Sequence, residues 1–167
     1  QGNGYVSGNY ELWAIFYDAD STQAMTLHGE TGHEGAYLFR LDASGHLSWF
    51  NDLRSSYQYG SMNLNDMRVS DQGESYATGS CFTAAIAGRI NLTHSDGSTA
   101  YSDSLSGYTL LKFDPAGHLR WSVGSRYAYA FGGGGLALAL DSSRVRVMGR
   151  LTAQEPSSTY QLSSTDG

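Results

Sequence analysis

Residues 37–49 read YLFRLDASGHLSW, and residues 109–121 read TLLKFDPAGHLRW. Aligned at an offset of 72 residues, Asp42 meets Asp114, Gly45 meets Gly117, His46 meets His118, Leu47 meets Leu119 and Trp49 meets Trp121. A second block recurs three times. It ends on Gly8 in GYVSG, on Gly79 in SDQGESYATG and on Gly149 in LDSSRVRVMG. Between the blocks, Tyr57 and Tyr59 are echoed by Tyr127 and Tyr129. Three blocks at a near-constant offset define an internal repeat of about 70 residues, and repeats of this kind are the signature of stacked architectures. The chain holds about two and a third copies, with limits expected at 1–63, 64–135 and 136–167.

The second copy carries the full pattern. Residues 67–70 and 75–82 are expected as strands around the turn Asp71-Gln72-Gly73-Glu74. Residues 108–113 and 118–123 are expected as strands around Asp114-Pro115-Ala116-Gly117. Asp can hydrogen-bond nearby backbone amides, Gly accepts φ > 0, and Pro presets φ near −65°. Between the two hairpins lies a long connection that includes Ile90-Asn91-Leu92-Thr93 and a Gly/Ser/Asp-rich run. Two hairpins per repeat predict a four-stranded antiparallel unit that buries its faces only by stacking on its neighbours, as in a β-propeller blade. Copy one is then a partial blade without its first strand, copy two a complete blade, and copy three the first half of a further blade.

Composition agrees with an all-β fold. Of the 167 residues, 21 are Gly, 12 Tyr, 6 Phe and 3 Trp. Aromatic and β-branched side chains suit a pleated, half-buried surface, and Gly suits tight turns. The one short helix-like run, Thr83 to Ala87, is too short to stand alone. With 16% charged residues the chain is not of disordered type. A single Cys, Cys81, excludes a disulfide scaffold and is expected to pack as a small apolar group. A net charge of −6 argues against binding nucleic acid through a basic face, and no apolar run approaches a membrane span of about 20 residues.

Residues 39–49, followed by Tyr57-x-Tyr59-Gly60 and then Asp71-x-Gly73-x-x-Tyr76-Ala77-Thr78-Gly79, resemble the bacterial β-propeller repeats known as SBBP repeats. Gly2 to Gly8 matches the end of that pattern, and Leu136 to Asp141 its middle. His46 and His118 stand where that family usually has Asn, Arg144 replaces a turn Gly, and Phe131 to Gly135 (FGGGG) is unusual. The resemblance implies propeller blades in a secreted or cell-envelope protein of bacterial type, and no particular reaction. Two and a third repeats do not close a ring of 4–8 blades. The chain is therefore expected to be a fragment of a longer propeller, with several chains sharing one ring as the alternative.

The role expected from these features is non-enzymatic: a binding or structural module for a protein or glycan partner, or for further blades. One alternative is a quinoprotein-like cofactor-binding propeller, because D-A-S-G-x-L-x-W is also similar to quinoprotein repeats. Another is a subunit of a multi-chain surface filament. No cofactor and no metal are expected. Asp42, Gly45, Asp71, Gly73, Asp114, Gly117 and Asp141 read as structural turn residues, and Trp49 and Trp121, which recur at matching places, as blade-packing anchors. Candidate binding residues are those peculiar to copy one: Trp13, Phe16 and Tyr17, and the cluster His28, Glu30, His33 and Glu34. That cluster is rich in metal-ligand types but lacks any zinc spacing such as H-E-x-x-H. Asp18, Asp20 and Asp96 offer loop carboxylates, but a lone D-x-D is far from a complete calcium loop.

Overall fold

In the computed structural model, which describes residues 2–29, 34–55, 60–82, 90–102, 107–126, 134–141, 144–150 and 161–166, every regular element is a β-strand. The first repeat forms β1 (Gly4–Tyr10), β2 (Trp13–Tyr17), β3 (Gln23–His28), β4 (Gly35–Leu41) and β5 (Leu47–Ser55). The second forms β6 (Ser61–Val69), β7 (Ser75–Phe82), β8 (Ile90–His94), β9 (Thr99–Ser102), β10 (Gly107–Phe113) and β11 (Leu119–Arg126). The third forms β12 (Gly134–Leu140), β13 (Val145–Arg150) and β14 (Gln161–Asp166). No helix among the described residues is long and apolar enough to cross a membrane. Thr83 to Ala87, Tyr57 to Tyr59, Tyr127 to Tyr129 and Phe131 to Gly133 lie outside the described residues.

The repeat is visible in the hydrogen-bond register. Gly8 faces Tyr37 across β1 and β4, and Gly79 faces Thr109 across β7 and β10. Leu38 faces Asn51 across β4 and β5, and Leu110 faces Val123 across β10 and β11. The register shift falls between Arg40 and Leu41 in the first pair of strands, and between Lys112 and Phe113 in the second. The shift between Leu64 and Asp66 in β6 likewise returns between Gly135 and Ala137 in β12. A bulge adds one residue and bends its strand, so equivalent bulges give the sheets equivalent curvature.

The four predicted strands of the second repeat pair in the expected order β6-β7-β10-β11, but the sheet has a fifth member, β14. The first strand is also longer than residues 67–70, because β6 begins at Ser61. The other large sheet, β1-β4-β5-β8-β9, gains its last two strands from the long connection of the second repeat. The β8–β9 hairpin leaves its own sheet and pairs with β5, from Asn51↔His94 to Ser55↔Ile90. The two large sheets are five-stranded because chain from one repeat joins the sheet of the repeat before it, as the β8–β9 hairpin in the first and as β14 in the second. All pairings in both sheets are antiparallel.

Alternation along the strands assigns the layers. Ala36 and Leu38 of β4, with Leu53, Ile90 and Leu92, pack against Met62, Leu64, Ala77, Leu111 and Phe113 of the second sheet. Tyr37 and Phe39, on the opposite face of β4, pack under the β2–β3 hairpin with Phe16, Met25 and Leu27. Tyr76 and Leu110, on the far face of the second sheet, pack against Leu138, Leu140, Val145 and Val147 of β12 and β13. Four β layers therefore stack in sequence, with an apolar seam at each of the three junctions between them.

Gly117 lies at the main seam with φ +90°, and a Cβ added there would sit 2.5 Å from the Trp49 ring. Gly97 has a similar φ of +82° with nothing within 4 Å of such a Cβ. Gly97→Ala therefore meets backbone strain alone, about 1 kcal/mol. Gly117→Ala adds overpacking and is expected to cost roughly 2–4 kcal/mol in all. Urea denaturation of the two variants measures the difference, and equal losses would show that Trp49 yields freely.

Candidate functional site

The Asp-x-x-Gly turns do more than reverse the chain. In the first, the Asp42 carboxylate accepts the amides of Ser44 (2.8 Å) and His46 (3.0 Å), and the Gly45 amide donates to the Asp42 carbonyl at 3.1 Å. The hydroxyl of Ser44 and the His46 amide hold the Asp42 carboxyl down to about 2. Asp114 binds the amides of Ala116 and His118 in the same way. In the turn after β6 the equivalent position is Ser70, whose hydroxyl accepts the Glu74 amide, while Asp71 sits exposed within the turn. Gly73 supplies the positive φ there, and Asp141 accepts the Arg144 amide in the third repeat.

Turns of the second repeat are then read by side chains of the first. Trp49 donates its indole N–H to the Pro115 carbonyl at 3.1 Å, and Arg40 donates to the same oxygen at 3.0 Å. Tyr5 donates to the Gly73 carbonyl at 3.3 Å, and its ring meets Trp49 edge-on. The combination recurs one repeat later: Tyr76 meets Trp121 edge-on, and Lys112 lies over Tyr76 as Arg40 lies over Tyr5. Trp49 is buried, whereas Trp121 is half-buried.

The densest polar constellation lies beside this contact. His94, at the end of β8, is 6% exposed and tilts against Trp49 and, at 4.6 Å between centroids, against His118. The fully buried Asn51 donates its amide to the Gly117 carbonyl at 2.8 Å, and its amide oxygen faces His94 Nδ1 at 2.9 Å. Because that oxygen only accepts, Nδ1 carries the proton and Nε2 the lone pair. Burial holds the His94 pKa below the ordinary imidazole value. Asp96, two residues on, lies 3.2 Å from His118 Nε2, and its carboxyl is held well below the usual range by Ser98 and His118. Asp114 stands 3.6 Å from His118 Nδ1. One donor atom from each of His94, Asp96 and His118 lies within 4.8 Å of the other two.

The residues expected to bind from the sequence are not gathered in one place. Trp13 and Tyr17 stand 64% and 62% exposed on the outer face of β2, with Ile15 between them. Phe16 points the other way and meets Tyr37 and Phe39 edge-on. His28 pairs opposite Trp13 in the β2–β3 ladder. Glu34 accepts from the Asn63 amide at 2.9 Å, and its carbonyl accepts from the Met62 amide, which joins it to β6. Glu30 and His33 lie outside the described residues.

Sequence reasoning missed His94 and Asn51, and it saw Asp96 only as a loop carboxylate. The signal available was turn chemistry. His94 and Gly97 close the β8–β9 hairpin through the same backbone bonds that Asp18 and Ser21 make between β2 and β3. Asp96 accepts the Ser98 amide as Asp20 accepts the Thr22 amide. A further buried network also went unseen, in which Tyr10 donates to Asp52 at 2.5 Å and Arg54 bridges both. No family model, no curated protein and no solved structure matches the chain.

Two outcomes follow from this geometry. Asn51→Ala leaves the Gly117 carbonyl and the His94 Nδ1–H without buried partners and should cost about 2–4 kcal/mol in urea denaturation. Cys81 is buried on β7, and desolvation pushes its thiol up to about 12. Iodoacetamide at pH 8 should therefore leave the native protein unmodified and alkylate it only as it unfolds. Rapid native alkylation would show that β7 opens locally.

Proposed function

We propose that the chain is a run of β-propeller blades of the SBBP-repeat type, and that its role is non-enzymatic. It serves as a secreted or envelope scaffold that assembles with further blades and presents its hairpins to a protein or glycan partner. The observation that carries this reading is the transfer of the β8–β9 hairpin to the preceding sheet, where it pairs with β5. The strand β14 stands in the same relation to β11. By the shared turn chemistry, β2 and β3 correspond to β8 and β9, yet among the described residues they pair only with each other. They also lie on the outer face of the β4–β5 layer, as one more sheet in the stack would.

The strand that belongs beside β2 is accordingly one of the β5 or β11 type, supplied by a preceding blade. An open edge of this kind is a template for strand addition. Trp13 and Tyr17 give the hairpin large, rigid contact area on the side turned away from the core, the kind of surface that partners use.

A peptide with the β11 sequence, LRWSVGSR, offers that strand in trans. Hydrogen–deuterium exchange should show β2 amides slowed by the peptide, with β8 amides unchanged because β5 already covers them. A scrambled peptide should protect neither. Equal exchange of β2 with and without the peptide would remove hairpin transfer as the basis of assembly.

A further inference from the structure

We propose that His94, Asp96 and His118 form a zinc site that clamps the seam between the two large sheets. The three residues come from two elements that only the tertiary fold brings together: the β8–β9 turn, which belongs to the first sheet, and the β10–β11 turn, which belongs to the second. Two imidazoles and one carboxylate are a donor set of borderline softness that suits zinc rather than calcium or magnesium. Tetrahedral zinc with bonds of about 2.0–2.1 Å holds its ligand atoms roughly 3.3 Å apart. The pair His118 Nε2 and Asp96 Oδ2 already stands at 3.2 Å, and all three donors lie within 4.8 Å.

The surroundings match what metal-bound histidine requires. Such a residue donates its other ring N–H to an acceptor that fixes its tautomer. His94 Nδ1 is committed to the buried Asn51 oxygen, which leaves the Nε2 lone pair as the ligand. Asp114 stands at the Nδ1 side of His118 and can serve the same purpose there. Asn51 is itself anchored on the Gly117 carbonyl, so the supporting layer rests on the turn that Trp49 covers.

The first repeat provides an internal contrast. Its equivalent positions hold Asp18, Asp20 and His46, only one imidazole, and Asp18 accepts the Leu47 amide at 2.7 Å. The metal site is therefore an acquisition of the second repeat. Three protein ligands leave the fourth position to water or to a partner group, and the exposure of Asp96 and His118 keeps that position accessible.

The test is titration of the intact chain with zinc, followed by calorimetry, and with cobalt, followed by its visible d–d absorption. One equivalent should bind, and zinc should raise the Tm by about 3–6 °C per tenfold excess over Kd. His118→Ala and Asp96→Asn each remove one exposed ligand, so both should fold with unchanged circular dichroism and bind at least tenfold more weakly. His46→Ala should bind as the parent does. Failure of the parent to bind either metal overturns the proposal. So does binding that survives both ligand substitutions, or binding that is lost instead in His28→Ala/His33→Ala.

Discussion

The Trp49 indole packs closely against Gly117 and donates its N–H to the Pro115 carbonyl, and much of the structure depends on that contact. It ties the face of one sheet to a turn of the next. It is possible only because position 117 has no Cβ and takes a positive φ. The same carbonyl holds Arg40, and the same turn holds Asn51 through the Gly117 oxygen. Asn51 in turn orients His94. A packing contact, a turn conformation and a polar constellation therefore share one set of atoms. Loosening the turn would disturb all three together.

The inserted hairpin explains why these sheets can be neighbours at all. A four-stranded unit would end at β5 with an open edge. The β8–β9 hairpin covers that edge with strands from the following repeat, and β14 joins β11, so each large sheet contains chain from two repeats. Its turn then lands beside the β10–β11 turn of its own repeat, where Asp96 reaches His118. Connectivity, more than local preference, brings a carboxylate and two imidazoles into one place.

Much of the fold was legible in the sequence. The Asp-x-x-Gly turns, the pairing of β7 with β10 and of β10 with β11, and the packing roles of Trp49 and Trp121 follow from residues that repeat with a fixed offset. The candidate site was much less so. Ile90 to His94 reads as an extended segment, but nothing local says which sheet edge it will join. Phe16 and Trp13 look alike in sequence, yet they fall on opposite faces of β2, and the partner layer decides which is buried. Turn chemistry marks His94 as the start of a hairpin turn but not what it meets, because Asn51 lies on β5 and His118 in the β10–β11 turn.

By itself the sequence determined the period, the hairpins and the glycines at positive φ, because turn geometry and strand alternation depend on residues a few positions apart. Only the tertiary structure decided that the inserted hairpin leaves its own sheet, that five strands make each large sheet, and that His94, Asp96 and His118 converge. Those outcomes depend on which edges and faces remain to be covered once the sheets stack. Covering an edge is a requirement of the whole backbone hydrogen-bond ladder, and no short stretch of sequence records it.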